Sequence, residues 1–225
     1  MIRPDPWPRP EPRPTPQPPP PGPVPWPAPL PSPGPSRVEF APSPPTTLAL
    51  DLADRLLARR IVVLTGPLGR EEAGEAVARL MLLDADADAD EPIQLHLTCP
   101  DGDLDAALVL AETVDLLRVP VTAILRGTVG GPVLAVVAAA DHVEAHPHCL
   151  LVLREPRSTA TGRADELAAA ADQHARQLAD LCARIATATS RNPQEVASDL
   201  RSGRVLDAGQ AVEYRLVDEV IIRHR

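Results

Sequence analysis

Leu48, Leu52, Leu56 and Leu57 recur at three- and four-residue steps, which predicts a helix over Leu48–Arg59. Ile61–Leu64 is a short apolar run stopped by Gly66-Pro67, so it reads as a buried strand. Ala73, Val77, Leu80 and Leu83 share one face of a helix over Glu71–Leu83. Ile93–Leu97 alternates apolar residues with Gln94 and His96, a strand pattern. Leu104–Leu117 is helical, Val121–Leu125 a strand, and Pro132–Ala140 an apolar helix. Val143–Ala145 and Leu150–Leu153 are further strands. Glu166–Thr189 is a long helix with Leu167, Ala171, His174, Leu178, Leu181 and Ile185 in one stripe, which needs a partner surface. Val205–Leu206, a helix over Ala208–Tyr214 and the stretch Leu216–Ile222 end the pattern. Strands alternating with helices predict an α/β domain with a mainly parallel sheet.

No such periodicity exists before residue 47. The first 45 residues hold 21 of the 29 prolines, many at every second position. Proline fixes φ and removes a backbone donor, so neither a helix nor a central strand forms there. Residues 1–46 are therefore expected to be a disordered, polyproline-II-like tail, and residues 47–225 one domain. Pro-x-x-Pro patterns with Trp7 and Trp26 suit either a stiff solvated spacer or a ligand for an aromatic groove.

Composition narrows the function. The chain has 22 basic residues, all arginine, against 31 acidic ones, for a net charge of −9. That balance argues against a nucleic-acid partner. No apolar run approaches the ~18 residues of a membrane span, and no signal-peptide pattern opens the chain, so membrane association is not expected and the cytoplasm is. Cys99, Cys149 and Cys182 form no Cys-x-x-Cys pair and read as buried thiols in a reducing compartment.

Several motifs, in order, carry a resemblance. Asp51-Leu-Ala-Asp-Arg-Leu-Leu-Ala-Arg-Arg-Ile61 opens the body. Cys99-Pro100-Asp101-Gly102-Asp103 follows the second strand. Gly127-Thr128-Val129-Gly130-Gly131-Pro132 lies between a strand and an apolar helix, and Pro147 precedes another strand. Ala208-Gly-Gln-Ala-Val-Glu-Tyr-Arg-Leu-Val-Asp218 closes the body. Together they resemble the proteolytic subunit of the ATP-dependent Clp protease (ClpP). The resemblance implies the ClpP/crotonase-like spiral of β-β-α units, with a long handle helix and stacked rings of subunits.

The family's chemistry does not carry over. A serine peptidase needs an oxygen nucleophile, a base and a carboxylate to orient the base. The family's serine falls on Gly131, its histidine on Arg154 and its aspartate on Gly203. Glycine cannot attack a carbonyl, and arginine is never deprotonated in proteins. The resemblance places the oxyanion-hole donors at Pro132, which has no N–H, and at Asp101, whose carboxylate repels an oxyanion. The expectation is thus a catalytically inactive ClpP-like subunit, forming a homo-oligomer or a mixed ring with a catalytic ClpP paralogue. The family's ATPase-docking aromatics are replaced by Gln94 and His96, so contact with a Clp ATPase is expected to be indirect.

Alternatives stay open. A crotonase-like acyl-CoA binder or enzyme shares the spiral fold, and Gly127-Thr-Val-Gly-Gly with Ala138-Ala-Ala-Asp141 resembles its oxyanion segment. Residual peptidase activity from a relocated site would need Thr128, Ser158, His146 or His148, none with a partner at recognisable spacing. A third possibility makes the Pro-rich tail the functional module and the body its carrier. Asp84, Asp86, Asp88 and Asp90 lack the glycine and glutamate of a calcium loop and read as a solvated acidic loop. His146-Pro147-His148 has no visible third ligand. No metal and no cofactor are therefore expected.

Overall fold

The computed structural model describes residues 47–86, 91–159 and 161–221. The Pro-rich segment 1–46 with Trp7 and Trp26, the end of the acidic run at Asp88 and Asp90, and Ile222 lie outside the described residues. The chain runs α1 (Thr47–Leu57), β1 (Ile61–Thr65), α2 (Arg70–Ala85), β2 (Ile93–Thr98), α3 (Leu104–Leu116) and β3 (Val121–Leu125). Then come β4 (Thr128–Gly130), a 3-10 turn over Gly131–Val133, α4 (Leu134–Ala139), β5 (His142–Ala145) and β6 (Leu150–Leu153). The remainder is α5 (Ala164–Thr189), α6 (Pro193–Ser202), β7 (Arg204–Asp207), α7 (Ala208–Tyr214) and β8 (Glu219–Val220).

Two sheets result. The larger has the order β1-β2-β3-β5-β8 and is parallel throughout. Its alternation follows the sequence: Ile93, Leu95 and Leu97 are buried, while Gln94 is exposed and His96 half-buried. Register extends this row by row, so Val63, His96, Ile124, Glu144 and Glu219 line up across the opposite, more open face. The buried face packs on α3, whose Leu104, Leu108, Leu110 and Val114 join one continuous apolar core. With so few aromatics, that core is built mostly from aliphatic side chains, with Tyr214 and three cysteines among them. The smaller sheet has the order β4-β6-β7, with β4 parallel and β7 antiparallel to β6.

Three elements differ from the sequence reading. α6 was not predicted, because only Val196 and Leu200 are buried on it and one i,i+4 pair is a faint signal. Its start is nevertheless encoded: Asn192 accepts from Gln194 N at 2.8 Å, and Pro193 suits the first helical turn. β4 was also unpredicted, being three residues long and ending in glycine. The helix predicted from Pro132 begins instead as the 3-10 turn. In α5, no residue before Leu181 is fully buried, so half of the predicted stripe stands clear of the core.

Asp84, at the end of α2, ties that helix to the loop before β3. Its Oδ1 accepts from Arg118 N at 2.7 Å and Val119 N at 3.2 Å, and Arg118 Nε reaches Oδ2 at 3.3 Å. The Arg118 backbone N–H, with smaller help from Val119 and the guanidinium, holds this carboxyl below its ordinary value of 3.8 despite partial burial. A lowered folded-state pKa stabilises above the unfolded value and is lost as pH falls through the folded one. Asp84→Ala is therefore expected to lower the urea midpoint above pH 3.8, with the gap to wild type closing at more acidic pH. Denaturant titrations of both proteins at several pH values check this, and a gap that does not change with pH contradicts it.

Candidate functional site

Sheet register brings the three triad positions of the resemblance to one place. Gly130 pairs with Val152, and Leu153 pairs with Arg204. Gly131 directly follows β4, Arg154 directly follows β6, and Gly203 directly precedes β7. A Cβ built on Gly131 would lie 3.9 Å from the Arg154 carbonyl oxygen. Residues far apart in sequence thus meet at the rim of the small sheet.

Gly131 has φ +57, in the left-handed region that favours glycine. Its missing side chain is not empty space. Asp101 Oδ1 sits 2.8 Å from where a Cβ would stand, closer than a real Cβ contact allows. The adjacent Gly130 is needed for close approach, because a Cβ there would meet Val152 Cβ and O at 2.8 Å each. Gly203 caps α6 at φ +69, and nothing lies within 4 Å of a Cβ built on it.

The loop carrying Asp101 is pinned at both sides. Leu68 N donates to Asp101 O at 3.0 Å, Asp103 N donates to Leu68 O at 2.7 Å, and Asp103 Oδ1 caps α3 by accepting from Ala106 N at 2.9 Å. Within it, Asp101 Oδ1 accepts from Gly102 N at 2.9 Å. Arg154 closes the arrangement from the opposite strand. Its Nη2 donates to Pro100 O at 3.2 Å and lies 3.7 Å from Asp101 Oδ2. Arg154 Nε is buried with no partner among the described residues. A carboxylate and a guanidinium therefore fill this corner and neutralise one another. The guanidinium of Arg154, permanently charged, offers no base at this corner. Pro132 next to Gly131 is buried and brings no N–H.

Other groups named from the sequence lie apart from this corner. Ser158 and His174 line one groove of about 390 Å³ together with Asp103, Asp105, Arg70 and Arg157. Among the described residues no hydrogen bond joins Ser158 to His174, and Asp105 is held by Gln177 Nε2 at 2.8 Å. His174 was read in the sequence only as part of a helical stripe, since its neighbours in this groove come from distant loops. Thr128 is half-buried on β4, His146 is half-buried and His148 exposed beyond β5. The three free cysteines are buried. Burial raises the thiols of Cys99 and Cys182 and pushes Cys149 up to about 11, so the reactive thiolate is scarce at neutral pH.

On the open face of the large sheet, Gln94 Oε1 lies 3.3 Å from His96 Nε2, and Arg126 Nη2 contacts His96 Nδ1. Burial first, then the Arg126 charge and His146, lowers the His96 pKa. This patch is polar. Among the described residues no helix is long and apolar enough to cross a membrane.

The fold agrees with comparisons to known proteins. The family model described as Clp protease matches residues 46–224. The chain is similar to ATP-dependent Clp protease proteolytic subunit 1 of Nocardia farcinica, with 30% identity over 173 residues, 76% of this chain and 87% of the relative. It is also similar to an ATP-dependent Clp protease proteolytic subunit-like protein of Streptomyces coelicolor, with 34% identity over 180 residues, 78% of this chain and 84% of the relative. From its ordered motifs, its mixed α/β fold and these matches, the chain belongs to the Clp protease family.

Proposed function

We propose that this chain is a non-catalytic Clp protease-like subunit that works by assembly, entering rings with a serine-bearing paralogue or regulating one. One observation carries the proposal: the Asp101 carboxylate occupies the space a nucleophile side chain at residue 131 would need. Arg154 beside it supports the reading, because a permanent cation replaces the base. The exposed first half of α5 supports assembly, since Leu167 on it remains 39% exposed in the single chain. Gln94, His96 and Arg126 put a polar cluster on the open sheet face beside Val63 and Ile124, which supports indirect rather than direct contact with a Clp ATPase. The family match favours this reading over an acyl-CoA enzyme. The cytoplasm is the proposed location.

Native mass spectrometry of the tagged full chain, purified gently from its own host, tests the proposal. Mixed rings containing a serine-bearing Clp proteolytic subunit are the expected result. A small oligomer carrying no such subunit, or peptidase activity intrinsic to the purified chain, would overturn it.

A further inference from the structure

The large sheet places a second group of chemically capable side chains well away from residue 131. His142 and Glu144 are two residues apart on β5 and so share one face. Glu144 is paired in register with Glu219 on β8. His142 Nε2 lies 3.9 Å from Glu144 Oε1 and 3.7 Å from Glu219 Oε1. One ligand atom from each residue falls within 4.8 Å of the others. We propose that His142, Glu144 and Glu219 form a divalent transition-metal site of zinc type, with Asp218 as its positioning residue.

Three arguments support the assignment. The first is orientation. Asp218 Oδ2 is fixed by Val143 N at 2.7 Å and lies 3.3 Å from His142 Nδ1. With a carboxylate facing Nδ1, Nε2 is the ring nitrogen left nearest the two glutamates. This carboxylate–histidine arrangement is the usual outer support of a metal-bound imidazole. The second is charge. Three carboxylates surround one imidazole, and among the described residues His142 is the basic side chain that pairs with them. A dication would offset that surplus. The third is reach. Zinc bonds of about 2.0–2.2 Å in a tetrahedron separate ligand atoms by about 3.4 Å, close to the 3.9 Å and 3.7 Å from His142 Nε2 to the two glutamates, with all three atoms already within 4.8 Å of one another. Glu219, with a side chain 65% exposed, is free to move closer.

The donor set selects the ion. One imidazole nitrogen with two carboxylates suits zinc and its first-row neighbours, whereas calcium and magnesium take all-oxygen shells. Three protein ligands leave a fourth tetrahedral position for water. The site departs from the expectation of no metal, which weighed only the acidic run Asp84–Asp90 and the pair His146 and His148. It does not depend on whether the subunit is catalytic.

The test uses the full chain, stripped with EDTA and titrated with zinc chloride by calorimetry, and with cobalt(II) by visible absorption. The wild type is expected to bind about one zinc ion with Kd of about 10 μM or tighter. His142→Ala and Glu219→Gln should each weaken binding at least ~10-fold, and the former should abolish the tetrahedral cobalt bands. Asp218→Asn should weaken it by ~10–100-fold while the cobalt bands persist at saturation. Thermal melts without metal confirm that the variants fold. No zinc binding below about 100 μM, or unchanged affinity in His142→Ala or Glu219→Gln, would overturn the site. Unchanged affinity in Asp218→Asn would overturn the positioning role.

Discussion

Gly131→Ser is expected to leave hydrolysis of a fluorogenic peptide at the background of the unmodified chain, and to give no labelling by a fluorophosphonate. On the proposed reading, a serine alone lacks the histidine and aspartate partners of a serine peptidase triad. The neighbouring strand end carries Arg154, which cannot accept a proton, and Gly203 offers no carboxylate to orient a base. Loss of a working triad removes on the order of 10⁶ in rate, and an absent oxyanion donor at Pro132 removes a further ~10²–10³. The backbone is also unreceptive. A serine there must adopt φ +57, with its Cβ 2.8 Å from Asp101 Oδ1 unless that carboxylate moves. The informative companion combines Gly131→Ser with Arg154→His, Gly203→Asp, Asp101→Gly and Pro132→Ala. Turnover rising in the combined variant but not in Gly131→Ser fits the proposed loss of chemistry. A rise of ~10²-fold or more in Gly131→Ser alone would mean that another base serves the site, and the non-catalytic reading would fail.

Leu151→Ala is expected to destabilise the domain by about 2–5 kcal/mol. Leu151 is fully buried on β6, the central strand of the small sheet, in register with Val129 on one side and Leu206 on the other. Removing its branched side chain leaves a cavity between strands that have little room to collapse. Leu150 is the neighbour on the opposite face and is 42% exposed, so Leu150→Ala should cost less than about 1 kcal/mol. Urea unfolding at one protein concentration compares the two. Equal losses would mean that Leu150 is also buried, as it would be in an assembly, or that the small sheet contributes little to stability.

Much of this was legible without coordinates. The alternation Ile93, Leu95, Leu97 against Gln94 and His96 specifies which strand face enters the core, and the structure follows it. The boundaries of the helix ending at Tyr214 are written in Asp207 and Gln210, whose side chains cap the first turn reciprocally. α6 was missed because its apolar pattern spans a single pair, and β4 because three residues are too few to show a period. The resemblance named Gly131, Arg154 and Gly203 separately. It could not say that Asp101 reaches into the space beside Gly131, since that depends on a loop pinned to Leu68.

The sequence by itself determined the order of elements apart from α6 and β4, the mostly aliphatic core, and the presence of Gly131, Arg154 and Gly203 where the resemblance puts the triad. Those properties are local: a period of two or 3.6, a capping residue, or the identity of one side chain. Only the tertiary structure decided which atoms share space. Register joined Glu144 to Glu219 and turned His142 toward both, and it set the Arg154 guanidinium beside the Asp101 carboxylate. The reason is physical. Pairing between strands depends on the packing of the whole core, and an error of one residue in register would send every side chain of that strand to the other face.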